Sequence, residues 1–282
     1  MRQAVRVFVL LAGSLTASCG GSTTAPSSAR NRAFTVMTFN VQHGLDFSGK
    51  YDLQRAVDTV ASISPDLVAL QEVTRNHPSY GCDDQARLIA QRLEQATSRP
   101  WRFIYQQQWF TPDRSCADSG RGDGPETEGL AFLAPQSLGG EASVALWNGA
   151  IGYAANTAVV PTMVIGTHLA SGLTLVDDRT RQLAQLLPWA RTLGMPRILV
   201  GDFNARPDTP ELQPVFAEYR DAWADAVAAG LAHGVMSGDT RIRGGRIDYV
   251  LYVGDTLRVL DAQIVDTTAS DHRPVVVRFA VP

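Results

Sequence analysis

The chain reads as an α/β protein in which two β-sheets pack face to face with helices on their outer sides. Three observations predict this. Short apolar runs rich in β-branched residues recur along most of the chain, amphipathic helical stretches lie between some of them, and several runs follow one another with no helix between. The last observation argues against a repeating βαβ pattern and for a sandwich of two sheets. With 282 residues, 45% of them hydrophobic and 19% charged, the chain can bury the core of one large domain.

In chain order, the spacing predicts strands over Phe34–Val41, Leu67–Leu70, Arg102–Gln106, Gly129–Leu133, Ser143–Leu146, Ala158–Thr167, Ile198–Val200, Ile247–Val253, Arg258–Val265 and Val275–Val281. A helix is expected over Asp52–Ile63, where Leu53, Ala56, Val57, Val60 and Ile63 form one stripe. A second is expected over Asp83–Leu93, with Asp83 and Asp84 suiting its N-terminus. A third covers Asp177–Leu193, where Pro188 should kink or divide it. Residues 107–127, rich in Asp, Gly, Ser and Pro, read as a surface loop.

The N-terminus follows the order of an export signal: Arg2 and Arg6, an apolar run from Val7 to Ala12, then small residues up to Cys19. The run is too short to span a bilayer. Cys19 follows Thr16-Ala17-Ser18 and precedes a Gly/Ser/Thr/Pro stretch, which resembles a bacterial lipoprotein signal, although Leu15 sits one position early. The expected organisation is an export signal over residues 1–19, a flexible tether over 20–32 and a catalytic domain over 33–282. The protein is expected in the cell envelope, anchored to the membrane if Cys19 is lipidated, and monomeric. Export would place Cys82 and Cys116 in an oxidising compartment, where they form the available pair for a disulfide.

A net charge of −3 gives no global basic field, which counts against a tight binder of nucleic acid by charge alone. Lys50 is the only lysine, which excludes most Schiff-base chemistry, and no Gly-rich loop ends in Lys-Ser/Thr to cradle a nucleotide. The chain also lacks the His/Cys-rich spacing of a zinc hydrolase.

Polar residues recur at the ends of strands that should be buried. Asn40 ends the first strand in TFNVQHG, Glu72 the second in LVALQEV, and His168 a later one in VIGTHL. Asp202 and Asn204 lie in GDFN, Asp248 in RIDY, and Asp271 and His272 in SDHRP. Charged groups at such positions are costly unless paired or bound to metal. Carboxylates converging on one pocket raise each other's pKa, and a hard divalent cation with oxygen ligands relieves this. Magnesium, manganese or calcium is expected, magnesium first. Such an ion suits phosphate esters, because it neutralises charge on the phosphoryl oxygens.

The ordered set TFNV, LQEV, THL, GDFN, RIDY and SDHRP resembles the endonuclease/exonuclease/phosphatase superfamily, which includes deoxyribonuclease I, abasic-site endonucleases, inositol-polyphosphate 5-phosphatases and neutral sphingomyelinases. The resemblance spans residues 34–280. It implies a deoxyribonuclease I-like, four-layered sandwich of two mainly antiparallel sheets flanked by helices. It also implies a divalent-metal-dependent phosphodiesterase, nuclease-like, with in-line attack at phosphorus and no covalent enzyme intermediate. A phospholipase C-like or sphingomyelinase-like head-group hydrolase, a phosphatase and a catalytically silent binding module are the alternatives.

Carried over residue by residue, the resemblance makes Glu72 the principal metal ligand. Asn40 is its neighbour as ligand or orienter, and Asp271 faces the metal side. Asp202 would orient or deprotonate the attacking water, helped by Asn204. His272 would bond a phosphate oxygen or act as base, with Asp248 holding its tautomer, and His168 would stabilise the phosphate or the leaving group. His43 and Glu128 resemble positions near the pocket. Arg241, Arg243 and Arg246 approach RIDY in a Gly-rich loop and could grip a phosphate or polar head group. Arg179 and Arg181 lie on the third helix, where one could brace the site, although a solvated helix face is the expectation, and His77 and His233 are expected to lie on the surface.

Overall fold

Thirteen strands among the described residues form two sheets. The computed structural model describes residues 32–116, 124–158, 160 and 162–281. The expected export signal, the lipidation site at Cys19 and the tether up to residue 31 lie outside them. In chain order the strands are β1 (Arg32–Asn40), β2 (Leu67–Arg75), β3 (Arg102–Ser115), β4 (Pro125–Ala134), β5 (Leu138–Ala145), β6 (Ile151–Thr157), β7 (Met163–His168) and β8 (Arg197–Asp202). They continue with β9 (Arg220–Asp221), β10 (Ala232–Gly234), β11 (Asp248–Val253), β12 (Arg258–Ile264) and β13 (Val275–Val281). One sheet has the order β10-β12-β13-β1-β2-β4-β3 and the other β5-β6-β7-β8-β11-β9. Most neighbouring pairs are antiparallel; β1 with β2, β7 with β8, and β10 with β12 are parallel.

Strand alternation builds three apolar layers. Val36 of β1 joins Leu67, Phe132, Tyr153, Val200, Val250 and Phe279 in the layer between the sheets, to which both sheets contribute. Its neighbour Met37 points the other way, into a layer with Leu70, Val57, Val60, Ile89 and Leu93. Val57 and Val60 come from helix α1 (Leu53–Ile63), and Ile89 and Leu93 from helix α2 (Gln85–Thr97). On the far side, Ile165, Leu199 and Leu251 pack against Leu183 and Leu186 of α3 (Val176–Arg191) and against Val215 of α4 (Gln213–Glu218). The result is the expected helix–sheet–sheet–helix sandwich. Helix starts follow the sequence chemistry: Asp52 accepts from Gln54 N, Asp84 from Arg87 N, and Asp221 caps α5 (Ala222–Ala229) through Trp223 N and Ala224 N.

The structure corrects several expectations. The run Ala158–Thr167 is not one strand: β6 ends at Thr157, β7 begins at Met163, and Ala158, Val160 and Thr162 lie outside both. A proline at 161 has no N–H to offer a ladder. Much of 107–127 is strand rather than loop, because Trp109, Phe110 and Thr111 extend β3 against β4 with shifts of register. Helix α3 runs undivided through Pro188, where burial of Leu183, Leu186, Leu187 and Ala190 outweighs one missing hydrogen bond.

Cys82 and Cys116 form a disulfide with Cα atoms 5.8 Å apart, tying the turn after β2 to the end of β3. It closes a loop across a sequence separation of 34. In the chain-entropy account, a Cys82→Ser/Cys116→Ser variant loses about 3–4 kcal/mol of stability. Equilibrium urea unfolding with and without reductant measures this; equal midpoints would contradict it.

Candidate active site

The strand ends converge where the two sheets meet. In the second sheet, register places His168 opposite Asp202 and Asp202 opposite Asp248, a row across β7, β8 and β11. β7 and β8 approach closely here because Gly201, at φ +139°, carries no side chain; a Cβ would sit 2.0 Å from Thr167 O. The first sheet supplies Asn40 at the end of β1. Glu72 lies in the bulge between Leu70 and Val73 of β2, at φ +55°. The segment before β13 brings Asp271 and His272.

These residues are linked by short contacts. Asn40 Nδ2 donates to Glu72 Oε1 at 2.8 Å and to Asp202 Oδ2 at 3.1 Å, joining the two sheets' carboxylates. Asn40 thus presents its amide N–H to both, while its oxygen accepts from Gln42 N. Asp202 Oδ1 accepts from Asn204 N at 2.8 Å, and Asn204 Nδ2 donates to Leu169 O. Asp248 contacts His272 Nδ1 through both oxygens, at 3.1 and 2.9 Å, leaving Nε2 3.8 Å from Asp202 Oδ2. Ser270 locks this corner, donating to Asn40 O and accepting from His272 N. Asp271 lies at the rim, with Oδ1 4.0 Å from His272 Nε2.

Electrostatics follow from burial. Burial and the adjacent Asp248 carboxylate push the Asp202 carboxyl well above the usual range, against the opposing pull of the His272 and His168 imidazoles. Burial alone would lower His272, but Asp248 and Asp202 outweigh it and hold the imidazole well above its ordinary value. For Glu72, burial pushes upward and is more than offset by His168, His43 and the Asn40 amide, so its carboxyl sits below the usual range. His43 Nε2 lies 3.2 Å from Glu72, and its Nδ1 3.7 Å from Glu128. Glu128 is pushed up to about 8 by burial and by Glu72 and Glu126.

Among the described residues two groups have the donor atoms and spacing to hold a cation: Glu72, His168 and Asp202, and Asp202, Asp248 and His272, each with donor atoms within 4.8 Å of one another. His168 is buried, 3.8 Å from both Glu72 and Asp202, and neither ring nitrogen has a hydrogen-bond partner. Buried polar atoms without partners are costly, so a carboxylate-rich cluster with an orphaned imidazole fits a hard divalent ion and an anionic ligand.

Every residue of the core set, from Asn40 to His272, meets in this cluster. The loop arginines do not share one fate. Arg246, expected to grip a phosphate or polar head group, is paired with Asp221 and lies over the Tyr249 ring. Arg243 is exposed over the Phe47 ring. Arg179 is buried rather than solvated, with Glu211 at 2.9 Å, and its Nη1 donates to Ala170 O and Gly172 O. It thereby braces the segment that follows His168. Arg181 lies over the Trp147 ring. His77 is half-buried, stacked on Tyr80 and 3.6 Å from Glu126, whereas His233 pairs with Asp261 at the surface as expected. Sequence reasoning missed Trp109, set edge-on to His168 at 5.8 Å, and Gln108, which donates to His168 O. Both lie in the segment taken for a loop. Ser270 and Thr240, which accepts from Ile247 N and Asp248 N, were also missed; the position of Ser270 inside SDHRP was the available signal.

The model of the Endonuclease/Exonuclease/phosphatase family matches residues 37–272. A UPF0294 protein of Vibrio vulnificus is 32% identical over 123 residues; that stretch spans 43% of this chain and 40% of the relative's length. Among solved structures, an endonuclease/exonuclease/phosphatase protein of Beutenbergia cavernae superposes with a TM-score of 0.69 at 24% identity, covering 89% of this chain and 72% of that one. The catalytic domain of human nocturnin, described with a bound sulfate anion, gives 0.66 at 22% identity, covering 89% and 95%.

Proposed function

The chain belongs to the endonuclease/exonuclease/phosphatase family, whose members hydrolyse phosphate esters, and on that premise we propose that it is a divalent-metal-dependent phosphodiesterase. The observation that carries this reading is the union of Glu72, Asn40 and Asp202 from two sheets around a His168 whose ring nitrogens lack partners. Glu72 would hold the cation, with Asn40 as a further ligand or orienter and Asp271 on the metal side. When bound, such an ion neutralises charge on the phosphoryl oxygens.

The chain's own residues do the rest. Asp202, raised toward neutrality and oriented by Asn204 N–H and Asn40 Nδ2, accepts the proton of the attacking water. His272 stays protonated because Asp248 holds its Nδ1, so it donates from Nε2 to a phosphate oxygen rather than acting as base. His168 donates to the developing charge on the other side. The water oxygen bonds to phosphorus, the ester P–O bond breaks, and the departing alkoxide takes up a proton from solvent while Asp202 releases the one it accepted. The disulfide and the N-terminal pattern together support an exported protein, with Cys19 as the lipid-bearing residue.

Nucleic acid is the first substrate class to test. Head-group hydrolysis of phospholipid is the second, favoured by Leu173, which is 96% exposed near the site. The full chain is expected to hydrolyse bis(p-nitrophenyl) phosphate with magnesium or manganese, to stop when EDTA is added, and to recover on metal addition. A parallel panel of plasmid DNA, RNA and sphingomyelin ranks the substrates. Absence of metal-dependent turnover on every member of that set overturns the proposal.

A further inference from the structure

Beside the catalytic cluster lies a cleft of about 260 Å³ whose chemistry is the inverse of the cluster's. The cluster is built from Glu72, Asp202, Asp248 and Asp271. The cleft is lined by Arg179, Arg206 and Arg241, by Ser171 and Thr209, and by no carboxylate. Two of its lining residues join it to the cluster. Asn204 donates its backbone N–H to Asp202, and Ile247 directly precedes Asp248. Arg241 in turn bridges to the backbone of His272.

The three arginines are not equivalent. Arg179 is buried and spent on Glu211 and two carbonyls. Arg206 and Arg241 are exposed, and among the described residues neither has a carboxylate in ion-pair range. Asp239, which feels the Arg206 charge, is occupied by Gly245 N–H and the Ser237 hydroxyl. Two arginines without a carboxylate partner among the described residues line one cleft in a chain whose net charge is −3. That is a local field, and planar forks of this kind match a phosphate bidentately.

We propose that this cleft is a subsite for a second phosphate group carried by the substrate, gripped by Arg206 and Arg241 while the scissile phosphate lies on the catalytic cluster. The proposal rests on the reading of the cluster as a phosphodiesterase centre. It narrows the substrate to molecules with a phosphate close to the one that is cut, and it makes Arg206 and Arg241 specificity residues rather than catalytic ones.

The test uses matched pairs: thymidine 3′-(p-nitrophenyl phosphate) with and without a 5′-phosphate, and thymidine 5′-(p-nitrophenyl phosphate) with and without a 3′-phosphate. The full chain with magnesium should favour the doubly phosphorylated member of at least one pair by roughly 10- to 100-fold in kcat/KM, as expected for charge-assisted bonds to arginine. Within Arg206→Gln/Arg241→Gln that ratio should fall close to one, and Arg206→Lys/Arg241→Lys should recover part of it. Calorimetric titration gives a readout independent of turnover: thymidine 3′,5′-bisphosphate should bind wild type at least about tenfold more tightly than thymidine 3′-monophosphate does, and the Gln variant should lose the difference. Replacing the terminal phosphate by an internal diester, in a dinucleotide, identifies the source of the group; a response to either form supports the subsite. Turnover of bis(p-nitrophenyl) phosphate without preference in either pair overturns the subsite and leaves the proposed function standing. No turnover of any ester overturns the proposed function itself.

Discussion

Asp202→Asn is expected to lower kcat on bis(p-nitrophenyl) phosphate by about a hundred- to ten-thousand-fold, the range of a lost general base, while leaving the fold as stable as wild type or more so. The two halves of this result come from one cause. Asp202 is fully enclosed and faces Asp248, so its ionised form is unfavourable in the folded chain and its carboxyl lies above the ordinary range. A group whose folded pKa is raised binds more protons in the native state than in the unfolded state. Stability therefore falls as pH rises from the unfolded value of about 3.9 through the folded one. The asparagine carries no such penalty. Its advantage in EDTA-treated protein should be widest at neutral pH and shrink as pH falls through the folded pKa of Asp202. Turnover assays beside urea unfolding at several pH values check both halves. An Asp202→Asn protein that is both active and destabilised would mark Asp202 as structural and end its assignment as base.

Arg179→Ala is expected to cost about 3–5 kcal/mol of stability, because it strands a carboxylate in the interior. Glu211 is buried, and Arg179 Nε and Nη2 are the donors to its Oε1. The same change frees Ala170 O and Gly172 O behind the segment that leaves His168. Replacing both partners at once, as Arg179→Met/Glu211→Leu, removes the stranded charge and should recover most of the stability. Urea midpoints of the single and double variants give the comparison. A single variant within about 1 kcal/mol of wild type would show that Glu211 finds another donor or takes up a proton cheaply.

The part of the site written most clearly in the sequence is the part where polarity interrupts burial. Asn40, Glu72, His168, Asp202, Asp248 and His272 stand out because each lies in or beside a strand most of whose other residues are apolar and buried. Their convergence needed the fold, but the anomaly was local. Arg179 carries no such mark: its partner Glu211 lies 32 positions away, in a short 3₁₀ segment. Trp109 was hidden by the turn-forming residues around it, and Arg206 by being one exposed arginine among many. The misplaced strand over 158–167 has a similar origin, since Pro161 is the one strand-breaking residue between Ala158 and Ile165 in an otherwise apolar run. Composition could identify the layers of this sandwich, and charge anomalies the catalytic floor. Neither could identify pairs of ordinary surface residues that topology brings together.

The bond from Asn40 to Glu72 lies within one sheet, and its companion to Asp202 crosses to the other. Neither sheet carries the whole cluster by itself. The last pieces, Asp271 and His272, arrive just before the final strand is laid down beside the first. A chain whose last strand has not docked therefore holds only part of the cluster, however many of its helices have already formed. The cluster is complete only at closure, when β13 docks against β1.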